Sequence, residues 1–128
     1  MKDRYLYKAK RVDNGKWVQG HLIVIAKENY FICTGKIKLD ASIKGIIAPE
    51  MYKVFEDTIC QCTGLEDKNG KLIWENDIMK YEWCRISKVD VVKYAPPMFT
   101  YSKVARWDLG ADEVVGNIFD NPELIKEI

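Results

Sequence analysis

The chain has 128 residues, 48% of them hydrophobic and 30% charged, and a formal net charge of +1 at pH 7. This is the composition of a globular protein and excludes a disordered or fibrous one. The near-zero charge excludes a general field drawing the chain onto nucleic acid or an anionic membrane, so any such binding needs a local patch.

A chain of this length suits one domain with its own core. The expected organisation is a single domain over 1–128, with an N-terminal hairpin subdomain over about 1–50 and a barrel-like part over about 51–128. The opening MKDRYLYKAKR is interrupted by charge and lacks a signal-peptide core, and LIVIA at 22–26 is far too short to span a bilayer. No membrane association and a cytoplasmic location are expected. Cys33, Cys60, Cys62 and Cys84 should then be reduced thiols. The ends differ in charge. Lys2, Arg4, Lys8, Lys10, Arg11 and Lys16 crowd the start, while Asp108, Asp112, Glu113, Asp120, Glu123 and Glu127 crowd the finish. Oppositely charged ends favour pairing within or between subunits.

In chain order, Tyr5–Val12 and Trp17–Ala26 flank Asp13-Asn14-Gly15, a strong hairpin signal. Asn29–Leu39 reads as strand, turn at Gly35, strand; Gly45 and Pro49 argue against a long helix beyond it. Ile59–Thr63 is a strand with Cys60 and Cys62 on one face. Thr63–Ile78, TGLEDKNGKLIWENDI, holds two turn signals, at Asn69-Gly70 and at Asn76. Strands are expected after Asp77, over Lys88–Tyr94, over Met98–Trp107 and over Val114–Phe119, with Pro96 and Pro97 breaking the ladder. Asn121 as N-cap and Pro122 at the first position predict a C-terminal helix of about two turns, docked through Leu124 and Ile125. The fold class expected is mainly β: antiparallel hairpins forming a small SH3-like barrel or sandwich, with a short C-terminal helix.

The acidic window at 63–78 does not match a calcium loop. Starting at Asp67, the fifth, sixth and twelfth positions are Lys71, Leu72 and Ile78. Turn chemistry explains it better: Gly70 and Asn76 tolerate positive φ, and Asp67 accepts hydrogen bonds from the turn's backbone. A metal-dependent hydrolase built on Asp67, Glu75 and Asp77 remains the least favoured reading. The three Gly-Lys pairs lack the glycine and hydroxyl of a phosphate loop. The cysteines lack zinc-site spacing, and the single histidine, His21, reads as a hairpin residue and not as a catalytic base. Neither metal nor cofactor is expected. The remaining functional signal is late aromatic and basic interleaving: Lys93, Tyr94, Phe99, Tyr101, Lys103, Arg106 and Trp107. Stacking rings among cations are how sequence-tolerant single-strand binders work, although a small β core filled with aromatics reads the same way.

Two blocks, TGLEDKNGKLIWENDI and VVGNIFDNPEL (Val114–Leu124), together with the opening YLYKAKRVDNGKWVQGHL, resemble the YopX family of small phage and prophage proteins. Asn76 stands where that family usually has glycine, and it keeps the capacity for positive φ. The resemblance implies a mainly β protein working in a bacterial host cell, and it brings no catalytic residues. The function expected is therefore a non-enzymatic protein-interaction module that self-associates or binds an unknown phage or host protein. The alternative is a single-stranded nucleic-acid binder using Lys93, Tyr94, Tyr101, Lys103, Arg106 and Trp107.

Overall fold

The computed structural model describes residues 5–40, 46–96, 98–103 and 108–125, the side chains at 37–40 and 46–48 apart. β-branched and aromatic runs between turn residues give ten strands among the described residues. These are β1 (Tyr7–Lys10), β2 (Trp17–Ile25), β3 (Asn29–Asp40), β4 (Ile46–Lys53), β5 (Cys60–Glu66), β6 (Leu72–Trp74), β7 (Asp77–Trp83), β8 (Ile86–Ala95), β9 (Met98–Tyr101) and β10 (Glu113–Asn117). Single 3₁₀ turns lie at Glu56–Thr58, Leu109–Ala111 and Pro122–Ile125. The fold is thus mainly antiparallel β, as the sequence predicts. Among the described residues the sheets stay open, and the expected barrel does not close. No helix among them is long and apolar enough to cross a membrane.

The chain divides into two compact units, one over Tyr5–Gln61 and one from Cys62 onward. The sequence places a boundary near residue 50, but β4 runs through that position and is paired along β3.

In the N-terminal unit β2 pairs with β1 through Trp17–Gly20 and with β3 through His21–Ile25. Gly20 marks the switch. A Cβ there would collide with the Cys33 carbonyl, so only glycine permits the close approach. The β1–β2 loop closes with Arg11 N–H donating to the Lys16 carbonyl (2.9 Å) and Gly15 N–H to that of Arg11 (2.9 Å). Gly35 does not reverse the chain as the sequence suggests. Its φ of +86° forms a bulge, and β3 continues past it while its partners jump from Cys33↔Met51 to Ile37↔Pro49. Pro49 is tolerated because β4 is an edge strand. Ala9, Ile32 and Val54 form this unit's core, with Tyr7, Val18, Leu22, Tyr30 and Ile59 against them.

The C-terminal unit carries a sheet in the order β10-β7-β8-β9, and the later residues of β5 pair with β6. Its core joins Ile73, Met79, Tyr81, Val92, Phe99, Tyr101 and Leu109, with Leu65 and Val114 against them. Each large apolar side chain so buried contributes about 1.5–3 kcal/mol. Cys60 and Cys62 are buried on one face of β5, as their spacing predicts. The strand predicted over Met98–Trp107 ends at Tyr101, and 104–107 lie outside the described residues. At the C-terminus the described part of the predicted helix is one 3₁₀ turn. Asn121 precedes that turn, and its carbonyl accepts the N–H of Leu124 at 3.1 Å. Its Oδ1 accepts the N–H of Asn117 at 3.2 Å, tying the turn back to the end of β10.

Candidate functional site

Asp67 is the hub of the acidic window. Its Oδ1 accepts the N–H groups of Asn69 and Lys71, both at 2.9 Å, closing the turn that Gly70 enters at φ +81°. Its Oδ2 accepts the N–H of Val114 at 3.0 Å, a residue 47 positions away. Burial alone pushes this carboxyl up. The N–H groups of Val114, Lys71 and Asn69 and the charge of Lys71 outweigh that and hold it below the ordinary carboxylate value. Asp77 Oδ2 likewise accepts the N–H of Trp74 at 2.8 Å across the second turn. Asn76 takes φ +71° in that turn, its N–H donating to the Val92 carbonyl and its carbonyl accepting the N–H of Ile118.

Two further buried acids do the same work. Asp90 accepts the Ser102 hydroxyl (2.7 Å) and the Lys103 N–H (3.0 Å), fixing the chain as it leaves β9. Asp112 accepts the Tyr101 hydroxyl. These oxygens are aimed at donors of the fold. Among the described residues no group of three or more His, Cys, Asp or Glu is placed to hold a metal ion.

A concavity of about 320 Å³ lies in the C-terminal unit, lined by Lys68, Lys80, Tyr81, Glu82, Ala111, Asp112 and Glu113. Lys68 and Glu113 approach to 3.8 Å across it, and Glu113 stands opposite Lys80 in the β10–β7 register. Two lysines and three acidic residues line it, with Asp112 already engaged by the Tyr101 hydroxyl. Nothing in that arrangement selects a ligand.

The late aromatic and basic residues are divided by the sheet. Tyr101 is 3% exposed and stacks on Tyr81 with ring centroids 5.1 Å apart, so it offers no face to a ligand. Tyr94 is exposed and packs against Phe99, while Lys93 points to the opposite face and donates to Asn76 Oδ1 at 2.7 Å. Lys103 is exposed. Arg106 and Trp107 lie outside the described residues.

Two surface features were missed in the sequence. The first is the tip of the β7–β8 hairpin. Cross-strand partners Trp83 and Ile86 are 61% and 59% exposed, and the two residues joining them, Cys84 and Arg85, have φ of +51° and +65°. Two successive left-handed residues are normally Asn or Gly, because a Cβ there costs roughly 1–2 kcal/mol each. The sequence carries no turn signal at Cys84-Arg85, so it predicts the strand after Asp77 and the one over Lys88–Tyr94 but not the tight turn that joins them. The second feature is a cation-and-ring cluster on β1 and β2, where the ammonium groups of Lys8 and Lys10 lie 4.7 and 5.4 Å from the Trp17 ring centroid.

Comparison with known proteins fits this layout. The model of the YopX protein family matches residues 6–126, nearly the whole chain. The chain belongs to the YopX family. A solved structure, protein EF1440 from Enterococcus faecalis, is similar over 93% of this YopX chain and 96% of its own length, with 22% identity and a TM-score of 0.60. At that identity the likeness speaks for the fold alone. No curated protein matches.

Proposed function

We propose that this YopX protein is a non-catalytic accessory module of phage or prophage origin, acting in the host cytoplasm through protein contacts, first of all with a second copy of itself. The observation that carries the reading is the β7–β8 tip. Trp83 and Ile86 extend outward the same sheet face that buries Met79 and Tyr81 further in, so an apolar face runs out of its own core and into solvent. Exposed tryptophan beside isoleucine and arginine is the composition of an interaction anchor. The buried carboxylates support the non-catalytic half of the reading, since each is engaged by backbone or hydroxyl donors.

The test is sedimentation velocity over a range of concentrations, with wild type and the double variant Trp83→Ser, Ile86→Ser. The wild type should move to a larger species as concentration rises, and the variant should stay monomeric at an unchanged Tm. A wild type that is monomeric throughout, together with variant bait that captures the same host and phage proteins as wild type, would remove the reading.

A further inference from the structure

We infer that His21, Cys33 and Met51, set side by side on β2, β3 and β4, hold a soft monovalent cation, copper(I). The strand register puts them at one level. His21 is directly opposite Cys33, and Cys33 is directly opposite Met51. Directly opposed residues share a face, so an imidazole, a thiol and a thioether follow one another across three strands. The core lies on the other side. The neighbouring pair Leu22↔Ile32 packs there, and alternation turns His21 and Cys33 away from it. Cysteine spacing cannot reveal such a site, since each ligand comes from a different strand.

Adjacent strands lie about 4.8 Å apart, which leaves His21 and Met51 roughly 10 Å from each other with Cys33 midway. The short thiol serves from below, and the longer imidazole and the flexible thioether reach in from either side. Gly20 narrows the span on the β2 side, because β2 approaches β3 there so closely that a Cβ would collide with the Cys33 carbonyl. Tyr5 stacks on the face of His21, with centroids 4.9 Å apart and planes at 25°. Imidazole nitrogens present their lone pairs in the ring plane, so this stacking holds the ring and leaves its edge to a ligand. Cys33 is a free, half-buried thiol, Met51 is half-buried and His21 is exposed.

The donor set selects the ion. Thiolate and thioether favour copper(I), and imidazole suits copper as well, whereas carboxylate-seeking cations find nothing here. Among the described residues, none of those paired on this face of β2, β3 and β4 is Asp or Glu. The next pair along it is Ile23↔Phe31, with Lys53 beyond Phe31. A divalent ion on a single thiolate would leave net positive charge beside apolar groups and a lysine, while copper(I) thiolate is neutral. On binding, copper(I) replaces the Cys33 thiol proton, which passes to solvent. The His21 nitrogen and Met51 sulfur give lone pairs, and no electron changes hands.

The experiment is anaerobic titration of the full chain with copper(I) against a coloured copper(I) chelator, in a Cys84→Asn background that removes the exposed thiol at the β7–β8 tip. One copper(I) should bind per chain, and Cys33→Ser should abolish it. Met51→Leu, which conserves volume and so keeps the fold, and His21→Gln should each weaken binding by at least about tenfold. X-ray absorption at the copper edge should show nitrogen beside sulfur, with one sulfur lost in Met51→Leu. No binding, binding retained in Cys33→Ser, full affinity in either Met51→Leu or His21→Gln, or displacement by equimolar zinc(II) would each overturn the assignment.

Discussion

Between Tyr5 and Gln61 the core is Ala9, Ile32 and Val54, and Thr58 is the one buried polar side chain among the described residues. From Cys62 onward Asp67, Asp77, Asp90 and Asp112 all lie below the surface alongside a larger core. The C-terminal unit thus uses carboxylates as interior fasteners for backbone that leaves its strands. The N-terminal unit fixes its backbone by strand pairing and close packing, and acids described there engage neighbouring side chains, as Asp13 does with Arg11 and Glu50 with Tyr52. Acidic residues that look catalytic in the sequence are thereby committed to the fold.

The contrast breaks most sharply at Gly20. Adding a single methyl group by Gly20→Ala places a Cβ against the Cys33 carbonyl, and backbone cannot yield as a flexible side chain can. The expected loss in chemical denaturation is at least about 3 kcal/mol, the top of the range for overpacking.

Next in size is Asp67→Asn. The amide keeps one acceptor for Asn69 and Lys71 but turns an NH₂ group toward the N–H of Val114, which should cost about 1–3 kcal/mol at neutral pH. The sign with pH follows from the lowered value of Asp67. The folded form takes up this proton less readily than the unfolded chain. Its stabilisation is therefore complete above the ordinary carboxylate value and drains away as pH falls through the folded one. The gap between wild type and Asp67→Asn should narrow in acid. The amide shifts of Asn69, Lys71 and Val114 should titrate together at a pH below the ordinary carboxylate value; titration at or above it would contradict the clamp.

The elements that were legible in the sequence are those whose cause is local. Asn14-Gly15, Gly70 and Asn76 announce turns within a few residues, and the alternation of Cys60 and Cys62 places both inside. What escaped depends on partners distant in sequence. The third donor to Asp67 comes from Val114, the ring under Tyr101 from Tyr81, and the switch at Gly20 from Cys33 on another strand. The same reason separates the two aromatic and basic collections. Lys93 and Tyr94 are adjacent in sequence and so fall on opposite faces of a strand, whereas Lys10 and Trp17 are apart in sequence and are joined by the register of a hairpin. Composition along a run reports what a strand contains; cross-strand pairing decides what a surface presents.

The smallest expected change tests the β7–β8 tip. Replacing Cys84 by Asn and Arg85 by Gly installs the pair that most readily accepts two left-handed residues, and should stabilise the protein by roughly 1 kcal/mol. The β2–β3 connection is the natural control, since Ala26 and Lys27 take φ of +53° and +68° beside the exposed Val24 and Ile25. Comparable gains from Asn-Gly at both places would make the strain a general cost of these hairpins in each unit. The β7–β8 variant also retains Trp83 and Ile86, so sedimentation should find its self-association intact. Absence of association despite the gain in stability would assign the interface to the Cys84 and Arg85 side chains, and the strain would then be what aims them at the partner.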